Sequence, residues 1–105
     1  MKIIEKIMID DQDLAGAYDW NEAVKQIELL DSQNYQGFSD WRLPTKEELN
    51  VMYINRDTIG GFSTSFYWNS TEFNANLAWF QYFSNGSQDY GYKYFNLLVR
   101  CVRSI

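Results

Sequence analysis

Histidine is absent from this 105-residue chain, and cysteine and proline each occur once. Each scarcity removes a class of function. Without histidine the commonest general base and metal ligand is missing, which leaves enzyme chemistry poorly supplied. Cys101 has no second thiol to pair with, and it lies between Val99 and Val102 in an apolar run with no base to activate it. It is expected to be a buried structural residue. No glycine loop of phosphate-binding type and no zinc-ligand spacing occurs. Apolar runs are too short and interrupted for a signal peptide or a membrane span. The expectations are therefore a cytoplasmic protein with no membrane contact, no cofactor, no catalytic residue and no bound metal.

What the chain has is apolar and aromatic content. Hydrophobic residues make up 46%, charged residues 22%, and there are nineteen aromatics: four Trp, eight Tyr and seven Phe. That composition predicts one folded domain over residues 1–105, large enough for a single core and not disordered. A small core does not need so many rings, so several tyrosines are expected at the surface, where Tyr favours recognition. Charge is uneven. Residues 1–40 hold nine acids and three bases, a net of −6, whereas residues 41–105 hold five acids and six bases, a net of +1. The acidic half repels phosphate backbones and no basic stripe offsets it, so direct nucleic-acid binding is not expected. A protein partner with a basic surface suits this charge better.

Along the chain, Lys2–Ile9 reads as a strand with Ile3, Ile7 and Ile9 on one face. Asp19 and Glu22 form a capping box that opens a helix burying Trp20, Ala23, Val24, Ile27 and Leu30. Tyr35–Gly37 turns the chain, and Trp41 and Leu43 alternate with Asp40 and Arg42 in a short extended segment. Pro44 disfavours helix before it, while Thr45 and Glu48 form a second capping box opening a helix to about Ile54. Asp57–Gly61 reads as a loop. The remainder reads as β: Phe66–Ser70, then Leu77–Ser84 leading into the hairpin signal Asn85-Gly86. Ser87–Tyr94 is either a long loop or a ragged returning strand, and Leu97–Val102 closes as a strand.

Several pieces occur in this order: Trp20-x-x-Ala23, Gly37-Phe38-Ser39-Asp40-Trp41-Arg42-Leu43-Pro44-Thr45-x-x-Glu48-Leu49, Tyr67-Trp68-x-Ser70-Thr71, Trp79-x-x-Tyr82-Phe83-Ser84-x-Gly86 and Arg100-Cys101-Val102-Arg103. Over residues 18–103 this set resembles a bacterial and phage domain family of unknown function that also forms the C-terminal domain of a collagen-like adhesin. The resemblance implies an α+β, C-type-lectin-like fold, two helices packed on a small twisted antiparallel sheet, and a binding role over catalysis. Formylglycine-generating enzymes share an Arg-Leu-Pro-Thr-x-x-Glu segment, but the cysteine pair they depend on is missing here. The Glu-Pro-Asn and Trp-Asn-Asp motifs of calcium-dependent animal lectins are also missing. The adhesin relative is linked to sulfated polysaccharides, a ligand that the acidic surface disfavours, and it forms trimers, although its collagen stalk can impose that; oligomeric state stays open.

Candidate residues fall into two groups. Trp41, Trp68, Trp79, Arg100 and Cys101 are assigned structural roles, the tryptophans in the core, and Arg42 with Glu48 is read as a buried ion pair whose loss costs roughly 3–5 kcal/mol. For binding, Asn85–Tyr94 combines Tyr90, Tyr92 and Tyr94 with Asp89 and small polar residues, the chemistry of adaptable protein-binding loops. Phe73, Asn74 and Asn76 in the preceding loop extend that surface. Asp10, Asp11, Asp13 and Asp19 are the expected contacts to a basic partner, one version being a small phage-type inhibitor or adaptor that occupies a basic groove. The alternative is a carbohydrate-binding, lectin-like adhesin module stacking sugars on Tyr and Trp. Asp11, Asp13, Asp19 and Glu22 also follow part of the EF-hand calcium spacing, but Ala15 fails where an oxygen is required and the preceding residues read as strand, so helix capping and solvated aspartates are expected.

Overall fold

The computed structural model describes residues 1–105, and it is α+β, with two principal helices and two small antiparallel sheets. Strands β1 (Lys2–Ile4) and β2 (Ile7–Ile9) form a hairpin, and β2 also pairs with β6 (Val102–Ser104). The second sheet has the order β3 (Phe66–Glu72), β4 (Leu77–Tyr82), β5 (Gln88–Tyr92). Helix α1 spans Trp20–Ser32, α2 spans Lys46–Ile54, and the short α3 covers Arg56–Ile59.

The helix starts follow from the chain. Asp19 accepts from Glu22 N at 2.8 Å, but the Glu22 side chain turns to Gln26 instead of reaching back, so only half of that capping box forms. At α2 both halves form, Thr45 Oγ1 accepting from Glu48 N and Glu48 Oε1 accepting from Thr45 N. The capping signals thus locate both helices.

Several expectations are corrected. Lys2–Ile9 is two strands: Glu5 takes a φ of 51°, the chain folds back, and Ile3 is left exposed while Ile7 and Ile9 are buried. Residues 56–59 form a turn of helix where a loop was expected. Asn85-Gly86 does make a hairpin, with Gly86 at φ 82°, and β5 settles Ser87–Tyr94 as a returning strand. Leu97–Val102 is extended, yet it enters a ladder only at Val102. Its main chain is divided among other segments: Tyr18 bonds Leu97, Leu14 bonds Val99, Asp10 bonds Cys101, and Trp68 and Phe66 bond Leu98. No single strand partner exists, so periodicity alone misreads it.

That segment runs between two apolar clusters. One gathers Ile7, Ile9, Leu49, Met52, Ile59, Tyr67, Phe83 and Val102. The other gathers Ala23, Ile27, Trp41, Leu43, Trp68, Ala78, Val99 and Cys101. Alternation explains the split, since Leu98 and Val102 face the first cluster while Val99 and Cys101 face the second. Trp41 and Trp68 are core, as expected, and their indoles donate to the carbonyls of Tyr35 and Tyr18. Trp79 is not core. It is half-buried, its ring covered by Lys46 Nζ at 3.7 Å. It points to the same side of β4 as Gln81, and α2 covers that side only as far as its first turn.

The sequestered guanidinium is Arg100 and not Arg42. Arg100 is 0% exposed, donating to Asp13 Oδ1 and to the carbonyls of Asp10 and Gly60, with Phe62 stacked 3.9 Å from it. The Arg42–Glu48 pair is bidentate, at 2.6 and 2.9 Å, but its side chains are 35% and 23% exposed. Its loss therefore costs less than a buried pair would. No helix is long and apolar enough to cross a membrane.

Candidate functional site

The acidic residues expected at an interface are mostly turned inward. Asp10 is 3% exposed and accepts from the Tyr35 hydroxyl, with the Cys101 thiol 3.6 Å away. Asp13 carries Arg100 on one oxygen and the Tyr67 hydroxyl on the other. Asp19 caps α1, and Asp11 remains outside, against the Met1 amino group. An acidic docking face built from these four residues is thus corrected: two are consumed by the core. Nor do Asp11, Asp13, Asp19 and Glu22 converge, and no cluster of metal-ligating side chains forms.

Burial pushes up the pKa of the Cys101 thiol, with the Asp10 carboxylate adding to it. The Tyr67 hydroxyl is raised for the same reasons, burial first and then Asp13. These groups stay protonated in the folded state, so neither is poised as a nucleophile.

Aromatic residues expected at the surface do gather, though not as one loop. The β3–β4 turn, residues 73–76, and the β4–β5 turn around Asn85 lie at opposite ends of β4, separated by roughly 20 Å for a six-residue strand. Asn85 and Ser87 are therefore not neighbours of Phe73 and Asn76. Tyr90 and Tyr92 instead project from β5 toward the first end. Register places Tyr90 opposite Trp79 and Tyr92 opposite Leu77, so both rings share a face. Phe73 stacks on Tyr90 at 4.1 Å with the planes 8° apart, and Trp79 meets Tyr90 edge-on at 5.2 Å. Tyr92 and Tyr94 stack at 5.1 Å, with Phe95 edge-on to both. Phe73, Tyr90, Tyr92, Tyr94 and Phe95 are all exposed, Tyr94 at 70%. We term this surface the aromatic ledge.

A glycine holds the ledge together. A Cβ at Gly91 would stand 2.9 Å from both the Phe80 and Phe95 rings, so its absence lets Phe95 cross the strand and brace the tyrosines.

Beside the ledge is an open cleft of about 450 Å³ lined by Asp19, Asn21, Ala75, Asn76, Tyr92, Lys93 and Tyr94. It forms because the start of α1 is tied to the end of β5: Trp20 N donates to Lys93 O, and Lys93 N donates to Asn76 O. Lys93 is fixed by Glu72 at 2.6 Å and lies over the Trp20 ring. Asn74 is spent on its own turn, its Oδ1 accepting from the backbone of Asn76 and Leu77. Asp89 accepts from Tyr90 N, and its side chain lies on the other face of β5. A more apolar groove of similar volume lies elsewhere, between α1 and Trp41–Thr45. Its only cation, Arg42, is already occupied by Glu48 and Ser104.

Asn21, Lys93 and Phe95 also belong to this site, although none was expected there. Phe95 had a signal, since Tyr90, Tyr92, Tyr94 and Phe95 form one nearly unbroken aromatic run. Asn21 and Lys93 had none, because the contact between α1 and the end of β5 is long-range.

Residues 6–103 match the sequence model of a family described as the Lcl C-terminal domain. No curated protein matches the chain.

Proposed function

The chain belongs to the Lcl C-terminal domain family, and on that premise we propose that it is a non-enzymatic binding domain that takes a protein partner on the aromatic ledge. The supporting observation is the ledge itself, five exposed rings at one end of a sheet, four of them in two stacked pairs with Phe95 edge-on to one pair. The core does not require them, and a contiguous apolar patch of rigid, amphipathic side chains suits association. The absence of histidine and the burial of Cys101 support a non-catalytic reading. The inhibitor version loses its motive at Asp10 and Asp13, which are turned inward, so the plainer module is preferred.

One observation favours a second reading, carbohydrate binding in the manner of a C-type-lectin-like module. The open ring of Tyr94 stands beside the amides of Asn21 and Asn76 and the carboxylate of Asp19, a set suited to a sugar's C–H face and hydroxyls. A sulfated sugar fits poorly. The only cation lining the cleft, Lys93, is held by Glu72, and Asp19 adds negative charge beside it.

Capture from a native lysate with the parent chain and with Tyr90→Ala and Tyr94→Ala variants, beside a glycan array, tests the proposal. A protein retained by the parent and lost by folded variants supports it. Glycan binding with no protein captured supports the second reading.

A further inference from the structure

The edge of β5 carries information that the rings alone do not. Tyr82 N donates to Ser87 O at one end of the β4–β5 ladder, and Lys93 N donates to Asn76 O at the other. These bonds set the phase. With Phe80 opposite Asp89 and Ala78 opposite Gly91, the main-chain groups of Asp89 and Gly91 turn toward β4, and those of Gln88, Tyr90 and Tyr92 turn away. Two outward groups find partners nearby: Tyr90 N donates to Asp89 Oδ1 at 2.8 Å, and Tyr92 O accepts from Phe95 N at 3.0 Å. The Tyr90 carbonyl, the Tyr92 N–H and both main-chain groups of Gln88 make no hydrogen bond. The opposite edge of this sheet is closed, because Leu98 bonds both Trp68 N and Phe66 O along β3.

We propose that β5 accepts an extended segment of a partner protein as a fourth strand, its main chain bonding Gln88, Tyr90 and Tyr92. This deepens the protein-binding reading and rests on it. Side chains on the added strand alternate between faces. Those beside Tyr90 and Tyr92 are apolar, extending the ledge. Those on the other face meet Asp89, whose carboxylate leaves Tyr90 N for a lysine or arginine and frees that N–H for the incoming strand. Until then Asp89 covers one edge donor with charge, a common protection of an open edge. A second copy of the chain is the poorer occupant: β5 carries Asp89 and no basic residue, so a β5–β5 pair offers neither carboxylate a cation.

The test uses an alternating Lys–Val peptide, its twin N-methylated at the residues whose N–H groups would face β5, and amide chemical shifts of the full chain. Strand addition predicts shift changes confined to residues 88–95 and their neighbours on β4. The methylated twin, equal in charge and side chains, binds at least about tenfold more weakly, as expected for losing two or more hydrogen bonds of about 1 kcal/mol each. Tyr92→Pro, which removes an outward N–H at an edge position that tolerates proline, does the same, whereas Tyr92→Ala keeps the N–H and loses less. No binding, equal binding by the twin, or shifts elsewhere overturns strand addition. A dimer of the parent abolished by Tyr92→Pro also overturns it, giving the edge to a second copy. If the twin binds normally while Tyr90→Ala abolishes binding, the ledge stands and strand addition fails; if capture of a protein partner is also indifferent to the rings, both fail.

Discussion

Arg100 Nε donates to Asp13 Oδ1 at 2.8 Å, and the other oxygen of that carboxylate accepts from the Tyr67 hydroxyl at 2.6 Å. Residues near the two ends of the chain are thereby joined through a guanidinium with no solvent exposure. Replacing Arg100 with Met leaves Asp13 without its cation and two carbonyls without donors. Removing one member of such a pair costs roughly 3–5 kcal/mol. Urea denaturation should show a large fall in midpoint with the slope retained, and a midpoint equal to the parent's contradicts the assignment.

Arg42 is the contrasting case. Its pair with Glu48 is bidentate but partly exposed, so Arg42→Ala should cost about 1 kcal/mol. Glu48→Ala also removes half of the α2 capping box and should cost about 1–2 kcal/mol. The order Arg100 above Glu48 above Arg42, read from the same denaturation curves, is the checkable result.

Stability should fall at both pH extremes for separable reasons. Hydrogen bonds from Arg42 hold the Glu48 carboxyl below its ordinary value. A depressed folded pKa contributes stability above the unfolded value of about 4.3, and that contribution is lost as pH falls through the folded value. Glu48→Gln should flatten this acid limb. Burial raises the Cys101 thiol, so its contribution is complete below about 8.5 and is lost as pH rises beyond that. Cys101→Ala should reduce the alkaline slope. In the folded parent, alkylation of Cys101 at mildly alkaline pH should proceed only as fast as unfolding exposes it.

How far the fold could be read in advance depended on the range of each interaction. Local chemistry was legible: Asp19 and Thr45 begin helices, Asn85-Gly86 turns a hairpin, and Trp41 and Trp68 are core. Trp79 was misassigned because the cover over its face of β4 depends on where α2 begins, which hydrophobicity does not encode. Asp10 and Asp13 looked like solvated charge because their partners, Tyr35, Tyr67 and Arg100, are 25 to 87 residues away. The tyrosines of the site were visible as a run. Their separation from Asn85 and Ser87 followed only from the β4–β5 register.

Gly91→Ala should disturb the ledge without unfolding the domain. The new methyl meets Phe80 and Phe95 at 2.9 Å, and such overpacking typically costs 1–3 kcal/mol. Phe95 is the freer ring, being exposed, so it should yield first. Ring chemical shifts of Tyr92 and Tyr94 should move while those of Trp41 stay fixed; the reverse pattern contradicts the bracing role of Phe95.

The most direct measurement compares capture of protein from a native lysate by the parent chain and by a Tyr90→Ala/Tyr94→Ala double variant. Tyr94 is 70% exposed and Tyr90 is 41% exposed, so the variant should melt close to the parent, within about 1 kcal/mol of stability. The account predicts a protein retained by the parent and absent from the folded variant. Retention of the same protein by both would contradict it.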